Sequence, residues 1–325
     1  MKMRKVGRRL ALALFLACAV LVNLAWAESF NLSLLFDEAF QKVGKVDLVI
    51  TNIGYSRGSE ALLDEFYREL MKRDIPVKSL VNLHSAYDKP LYFAFLNKKT
   101  GRLFYVDGSR KAVEDVSYQA TLSEADKWNE KIKSKVFGGS EFALLSVSQL
   151  FSLDVPYDLH KAIEFHNHVC PGLLSGYLIA EFLRGEVRPG ERLMVFAVPS
   201  WCKDDALQVI FDTTVGKKGM YVRGLRGDEE KAFPDVAGIY VLWSDKDKRG
   251  RGLVLSFDFK ALRRESGATD DDYPWLWRLK GNYWVMKNLD RARGLVGKMG
   301  EFEVDEELLG KLKKMELRLE EVLKR

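Results

Sequence analysis

Cysteine is scarce in this chain of 325 residues, which has three: Cys18, Cys170 and Cys202. No two of them form a C-x-x-C pair, so the sequence lacks the local dithiol of thioredoxin-type redox motifs. Proline is also rare, with eight residues, which argues against long disordered segments. With 47% hydrophobic and 30% charged residues, the composition is typical of a folded protein with room for about two domains.

The first 27 residues have the pattern of a secretory signal. Five basic residues without acidic neighbours precede an apolar run, Leu10 to Leu24, and Ala25-Trp26-Ala27 supplies the small-x-small cleavage pattern. We therefore expect residues 1–27 to be removed and the mature chain to be exported to the cell surface, the periplasm or the medium. An uncleaved membrane anchor is the alternative, although the run is short of the roughly 20 residues that cross a bilayer.

Loss of this segment changes the charge of the protein. The whole chain carries a formal charge of +5, and the five basic residues lie within the segment, so the mature chain is near 5 − 5 = 0. A neutral chain gives no basis for nucleic acid or an anionic lipid surface as a partner. Membrane association is expected only if the segment is retained.

Strand and helix patterns alternate along the mature chain and predict an α+β or α/β sandwich. We expect an N-terminal α/β unit (28–120), a helical connector (121–155), a metal-binding core domain (156–265) and a C-terminal helical extension (266–325). In the extension, apolar residues at intervals of three and four predict one amphipathic helix that packs on the core or, alternatively, forms a homodimer contact. They are Val304, Leu308, Leu312, Met315, Leu319 and Val322.

Two strand–helix segments resemble each other. In both, a buried strand ends in a tight turn before a helix that opens with an acidic residue followed by Ala-Leu; the strands and turns cover 49–56 and 196–202. This predicts an internal duplication in which the first copy has Ser56 near the position of Cys202. The alternative is that any two strand–helix segments look alike.

The chemistry is concentrated in one run. His166, His168 and Cys170 alternate, so in an extended segment all three point to the same face. Pro171 suits the first turn of a helix, which places Cys170 at a helix N-terminus, where a thiolate is favoured. Two imidazoles and a thiolate suit zinc or another divalent transition metal.

Cys202 is the natural fourth ligand, because it also falls at a strand-to-helix junction. Asp205, three residues later, could orient an imidazole or bind the metal. A simple disulfide between Cys170 and Cys202 is the alternative in an exported protein. We interpret His84 as structural and His160 as a surface or helix-edge residue.

Four blocks in the order and spacing of one family strengthen the metal hypothesis. They are 165–172, Gly176-Tyr177, 202–208 and 214–217, and together they resemble the E-subunit family of formylmethanofuran dehydrogenase. The resemblance implies a thioredoxin-like α+β core, with a mixed sheet flanked by helices, whose site can hold zinc. It also implies His168, Cys170 and Cys202 as ligands, with His166 and Asp205 lining the site.

The chain departs from the family at informative positions. Asn167 stands where the family usually has glycine, and Thr213 stands where a further cysteine is common. No cysteine follows Cys202, so the C-terminal zinc finger of some members is absent. The family's name is therefore not taken as the activity of this chain.

Three functions remain open at this point. The first is an exported zinc-binding protein. The second is a metal-dependent enzyme of the hydrolase type, in which Cys170, Cys202 and Asp205 are the catalytic candidates, a zinc-bound water works beside Asp205 or Glu164, and Lys217 binds an anionic substrate. The third is a thiol redox protein that uses Cys170 and Cys202 as a reversible disulfide.

Overall fold

The computed structural model describes residues 31–324, which divide into two compact units at the Leu144–Leu145 bond. Each unit contains a five-stranded mixed sheet with helices, which confirms the predicted α+β class. The predicted signal segment, 1–27, lies outside the described residues. Within 31–324, the helices are too short or too polar to cross a membrane.

The first unit is built on an aromatic core of Phe36, Phe66, Phe93 and Phe95. Its sheet has the order β2-β1-β3-β4-β5, with β1 and β2 parallel and the other pairs antiparallel. The elements are α1 (Leu32–Val43), β1 (Leu48–Thr51), a 3-10 turn (Ser59–Leu62), α2 (Leu63–Lys72), a 3-10 turn (Val77–Ser79), β2 (Leu80–Asn82), β3 (Tyr92–Leu96), β4 (Arg102–Asp107), β5 (Lys111–Asp115), α3 (Tyr118–Ser123), α4 (Ala125–Lys133) and α5 (Glu141–Phe151), which contains the boundary.

The second unit has longer strands and more helices. Its sheet has the order β10-β9-β8-β6-β7, in which only β6 and β7 are parallel. The elements are α6 (Tyr157–His166), α7 (Pro171–Glu186), β6 (Glu191–Ala197), α8 (Lys203–Phe211), β7 (Met220–Val222), α9 (Glu229–Ala232), β8 (Val236–Ser244), β9 (Arg249–Phe257), α10 (Phe259–Glu265), α11 (Pro274–Lys287), α12 (Leu289–Ala292), a 3-10 turn (Arg293–Leu295), β10 (Val296–Val304), α13 (Glu306–Lys313) and α14 (Leu319–Leu323).

The two sheets share one topology. Read from β2, the first is β2-β1-β3-β4-β5, and read from β7, the second is β7-β6-β8-β9-β10. In each unit a helix precedes the first strand, another lies between the first and second strands, and only these two strands run parallel. The second unit inserts α10, α11 and α12 between its last two strands. The two units therefore share a strand order and a single parallel pair, and their origin by duplication stays a prediction.

The C-terminal apolar stripe does not form one helix, so that prediction is wrong. Val304 ends strand β10, and Met315 has a positive φ of 55° between α13 and α14. A single helix is impossible where the backbone turns into the left-handed region. The stripe is nevertheless buried, since Leu308 and Leu319 join the same core as Phe196 of the sheet.

Candidate metal centre

Helix α6 ends at His166, and this ending sets the position of the imidazole. The next residue, Asn167, has φ 62° and ψ 4°, so the chain reverses before it reaches Cys170. His166 and Cys170 thus approach each other across a helix end, and the predicted extended segment with a common face is wrong. That prediction assumed that side chains alternate between two faces of an extended segment. The left-handed residue between His166 and Cys170 breaks this alternation.

Cys170 caps the N-terminus of helix α7. Its backbone is extended, and its sulfur accepts a hydrogen bond from the Leu173 N–H at 3.4 Å. Pro171 follows in the first turn of the helix. The sulfur therefore lies at a helix N-terminus, as predicted, where the N–H groups favour negative charge. The predicted thiolate at Cys170 is nevertheless wrong, because its hydrogen bond to Cys202, together with burial, raises the pKa of Cys170.

Cys202 lies close to the N-terminus of helix α7 because this helix has glycine at the two positions that face Cys202 and Lys203 at the start of α8. A Cβ atom at Gly172 would lie 3.0 Å from the Cβ and 3.4 Å from the Sγ of Cys202. A Cβ atom at Gly176 would lie 2.3 Å from the carbonyl oxygen of Lys203. The two glycines thus permit a backbone approach that any larger residue would obstruct.

A buried ion pair closes the turn between β6 and α8. The Nζ of Lys203 lies 2.8 and 2.9 Å from the two carboxylate oxygens of Asp204 and donates to the Pro199 carbonyl at 2.8 Å. Burial lowers the pKa of Lys203 and raises that of Asp204, while their pairing opposes both shifts. Because Asp204 also accepts from the Trp201 N–H at 2.9 Å, Cys202 is held on both sides.

Three side chains converge at this point. One ligand atom each from His166, Cys170 and Cys202 lies within 4.8 Å of the other two. The Nε2 of His166 is 3.6 Å from the sulfur of Cys170, and its Nδ1 is 2.6 Å from a carboxylate oxygen of Asp205. Asp205 therefore orients the ring and leaves Nε2 directed at the cysteines, as predicted for one of its two roles.

The pKa values of the three side chains differ strongly from their usual values. Burial opposes a charged imidazole, but hydrogen bonds to Asp205 and Cys202 outweigh it and raise the pKa of His166 to about 9. Hydrogen bonds from Cys170 and His166 lower the pKa of Cys202 to about 4. The same bond to Cys202, with burial, raises the pKa of Cys170 above its usual range. The group thus favours a Cys202 thiolate that accepts from the other two.

His168 lies beside this group and is not one of its three members. Its ring centroid is 4.3 Å from that of His166, and its Nδ1 is 3.0 Å from the side-chain oxygen of Asn167. Burial, followed by the charge of His166, lowers the pKa of His168 to about 4. His168 is therefore neutral at pH 7, the form that binds a metal.

Residues 165–278 match the family model described as "FmdE, Molybdenum formylmethanofuran dehydrogenase operon". The segment carries an FmdE domain. The predicted resemblance to the E-subunit family of formylmethanofuran dehydrogenase is thereby confirmed for these residues, which include His166, Cys170 and Cys202. No match to this chain was found among curated proteins.

Asn167 ends helix α6 within the segment that carries the FmdE domain. The residue has a positive φ of 62° at the end of α6. Among residues with a side chain, asparagine is one of the few that adopt this conformation readily. Asn167 therefore suits the helix end that presents His166.

Thr213 and Lys217 lie at the other end of helix α8 of the FmdE domain. The helix has nine residues and so spans about 13 Å. Thr213 is buried and donates to the Leu207 carbonyl at 3.0 Å. Lys217 pairs with Asp212 at 2.5 Å at the rim of a cavity of about 340 Å³. Neither residue adjoins the three-residue group.

The two other histidines are not members of the three-residue group. His160 is 4% exposed, with its ring centroid 4.9 Å from that of Phe151, so the helix-edge prediction is wrong. His84 is in the first unit, is exposed, and lies edge-on to Tyr55 at 4.9 Å.

Helix α11 supports the centre from a distant part of the sequence. The buried Asn282 donates from Nδ2 to the Val169 carbonyl at 2.9 Å, across 113 positions. A Cβ atom at the neighbouring Gly281 would lie 3.3 Å from the ring of Pro171. No motif pointed to this contact. An amide on the buried face of an apolar helix was the one available signal.

Proposed function

We propose that the mature chain is an exported zinc-binding protein in which His166, Cys170 and Cys202 hold the metal, with His168 as the adjacent fourth candidate. One observation carries the proposal: Asp205 holds one nitrogen of His166, so that the other is directed at the sulfur of Cys170, with Cys202 in the same group. Export rests on the N-terminal sequence pattern.

The donor set and its spacing suit zinc. Zinc–sulfur and zinc–nitrogen bonds of about 2.3 and 2.0 Å at a tetrahedral angle place the two donor atoms about 3.5 Å apart. The sulfur of Cys170 and the Nε2 of His166 are 3.6 Å apart. Thiolate and imidazole donors favour zinc over magnesium or calcium, which take oxygen ligands.

The protons held by the group would be displaced by a metal. Cys170 has a raised pKa and His166 a pKa of about 9, so both carry protons at pH 7. Because ligands bind in their deprotonated forms, zinc uptake releases these protons and strengthens as the pH rises. The Cys202 thiolate provides the first attachment point.

A metal-dependent enzyme is the second candidate, favoured by the number of residues in the group. Three protein ligands with one further position for water or substrate are the pattern of catalytic zinc sites. Zinc in such a site supplies an activated water. Asp205 is hydrogen-bonded to His166 and therefore acts here as a positioning residue. Glu164, the other acidic candidate, is paired with Lys161 at 2.5 Å.

Metal analysis of the mature protein tests the proposal. We would purify 28–325 without a histidine tag under reducing conditions and measure zinc by mass spectrometry. Wild type and His84→Ala, a matched control on an exposed histidine, are expected to carry about one zinc. Cys202→Ser and His166→Ala are expected to lose it on dialysis. A wild type without metal, or variants that retain it, would contradict the proposal.

His168→Ala separates the two candidates. If it lowers zinc retention as Cys202→Ser does, His168 is a fourth ligand, and a closed site counts against catalysis. Full retention of zinc leaves a coordination position for a small molecule and favours the enzyme.

A further inference from the structure

We propose that Cys170 and Cys202 make the metal centre sensitive to oxidation: a peroxide joins the two sulfurs in a disulfide, which removes two of the three ligands and releases the zinc. The inference rests on the proposed zinc site and adds its regulation. The metal site and the disulfide, which the sequence offers as alternatives, are then two states of one group of residues.

The two sulfur atoms lie close enough to be joined. Both cysteines are free thiols, and their sulfurs are at most 4.8 Å apart. A disulfide requires about 2.05 Å, so the sulfurs must approach each other by at most about 2.8 Å. Rotation of one cysteine side chain between staggered rotamers moves its sulfur by a comparable distance. Gly172 leaves room beside Cys202, because a Cβ atom there would lie 3.4 Å from the sulfur.

The burial of the two cysteines assigns their order of reaction. Cys202 is partly exposed at the turn before α8, whereas Cys170 is 6% exposed at the N-terminus of α7. A peroxide in solution therefore reaches Cys202 first. The buried Cys170 then reacts with the oxidised sulfur, which is the arrangement of an exposed redox-sensing cysteine beside a resolving one.

The reaction balances with one peroxide for each disulfide. The sulfur of Cys202 attacks one oxygen of hydrogen peroxide, the O–O bond breaks, one water leaves, and Cys202 becomes a sulfenic acid. The sulfur of Cys170 then attacks that of Cys202: the S–S bond forms, the S–O bond breaks, and a second water leaves with the proton of the Cys170 thiol. The two thiols lose two electrons, which reduce the peroxide to two waters. A dithiol reverses the change by exchange and becomes a disulfide itself.

Oxidation removes the metal because cysteine binds a metal as a thiolate. Of the three-residue group only His166 is left, with His168 beside it. One or two imidazoles are fewer than the three or four protein ligands of zinc sites. Export would bring the centre into an oxidising compartment, where such a change can occur.

Peroxide treatment of the mature protein tests the proposal, since Cys170 and Cys202 are the only cysteines of 28–325. We would add hydrogen peroxide to the zinc-loaded protein, count free thiols, follow released zinc with a chromogenic chelator and map tryptic peptides. We expect both thiols to disappear, the peptides that contain Cys170 and Cys202 to become linked, and zinc to be released in proportion. Dithiothreitol should restore both thiols and zinc binding.

Single variants separate the roles of the two cysteines in the metal-free protein. Cys202→Ser should slow the reaction with peroxide about tenfold or more, because the more exposed sulfur is missing. Cys170→Ser should stop at a sulfenic acid on Cys202, which dimedone labels. His84→Ala changes an exposed histidine outside the group and should react as wild type does.

The proposal is overturned if wild type gains only oxygen atoms, if the disulfide links different molecules, or if it forms while zinc stays bound. Failure of wild type to bind zinc under reducing conditions is a separate result that contradicts the zinc site. The pairing is then judged on the metal-free protein, where linked peptides support it and two persistent thiols refute it.

Discussion

Gly176→Ala should damage the centre although the residue is neither a ligand nor a neighbour of one in sequence. Its added Cβ would lie 2.3 Å from the carbonyl oxygen and 2.6 Å from the Cα of Lys203. Both are backbone atoms, so no side-chain rotation relieves the contact. An ordinary contact of about 3.4 Å requires the backbone beside Cys202 to retreat by about 1.1 Å, the difference from 2.3 Å.

The magnitude follows from two opposed effects. Alanine gains about 1 kcal/mol over glycine inside a helix. Overpacking costs about 1–3 kcal/mol, and a clash between two backbones lies at the upper end. We therefore expect a net loss of about 2 kcal/mol in the free energy of unfolding. Since ligand distances tolerate only about 0.2 Å, the displaced Cys202 should also weaken zinc binding tenfold or more.

Gly185→Ala on the same helix is the matched control, because nothing lies within 4 Å of its added Cβ. Urea unfolding of both variants, with zinc affinity measured by competition against a chelator, gives the comparison. Gly185→Ala should be stabilised by up to about 1 kcal/mol with normal zinc binding. If Gly176→Ala behaved in the same way, the close approach of α7 to the Cys202 turn would be refuted.

Three further predictions concern the groups that hold the centre and the second unit together. Asp205→Asn should weaken zinc binding about 10–100-fold in a chelator competition, because it removes the carboxylate that orients His166. Asn282→Ala should cost about 1–3 kcal/mol in urea unfolding, since it leaves the buried Val169 carbonyl without its donor. Glu229 has a pKa of about 2 in the folded protein, so its contribution to the free energy of unfolding should be present above pH 4.5 and lost as the pH falls towards 2. Glu229→Gln should therefore cost about 3 kcal/mol at pH 7 and remove this pH dependence.

Each of these has a contrary outcome. Unchanged zinc affinity in Asp205→Asn would show that the imidazole holds its position unaided. For Asn282→Ala, wild-type stability would mean that packing alone fixes the loop before Cys170. If the free energy of unfolding changed with acid pH in the same way in wild type and in Glu229→Gln, the energy of the bonds from Arg223, at 2.7 and 2.9 Å, would be offset by the cost of burying Glu229.

Much of the fold could be predicted because its patterns are local. The strand that ends at Thr51, the helix after Pro171 and the turn near Gly101 each carry their own signals within a few residues. The C-terminal stripe failed for the same reason. Intervals of three and four from Val304 to Val322 look helical throughout, but pairing with β9 places Val304 in a strand, and the left-handed Met315 divides the rest into two helices.

The site was predictable in composition but not in geometry. Residue types and junctions brought Cys170 and Cys202 into one hypothesis with the histidines. The choice between His166 and His168 depended on the left-handed Asn167, whose conformation is set by the helix end and not by the motif. Asn282 was missed because 113 positions separate it from Val169.

The spacing of the three convergent residues has a consequence for folding. His166 and Cys170 are four positions apart and stay near each other even in an unfolded chain, whereas Cys202 is 32 positions beyond Cys170. A metal held by all three acts as a cross-link that closes this long loop, and the chain entropy removed from the unfolded state is of the order of 4 kcal/mol. Under the proposed ligation, metal affinity at Cys202 would therefore depend on how completely the segment 170–202 is folded, while His166 and Cys170 would report only their own short segment.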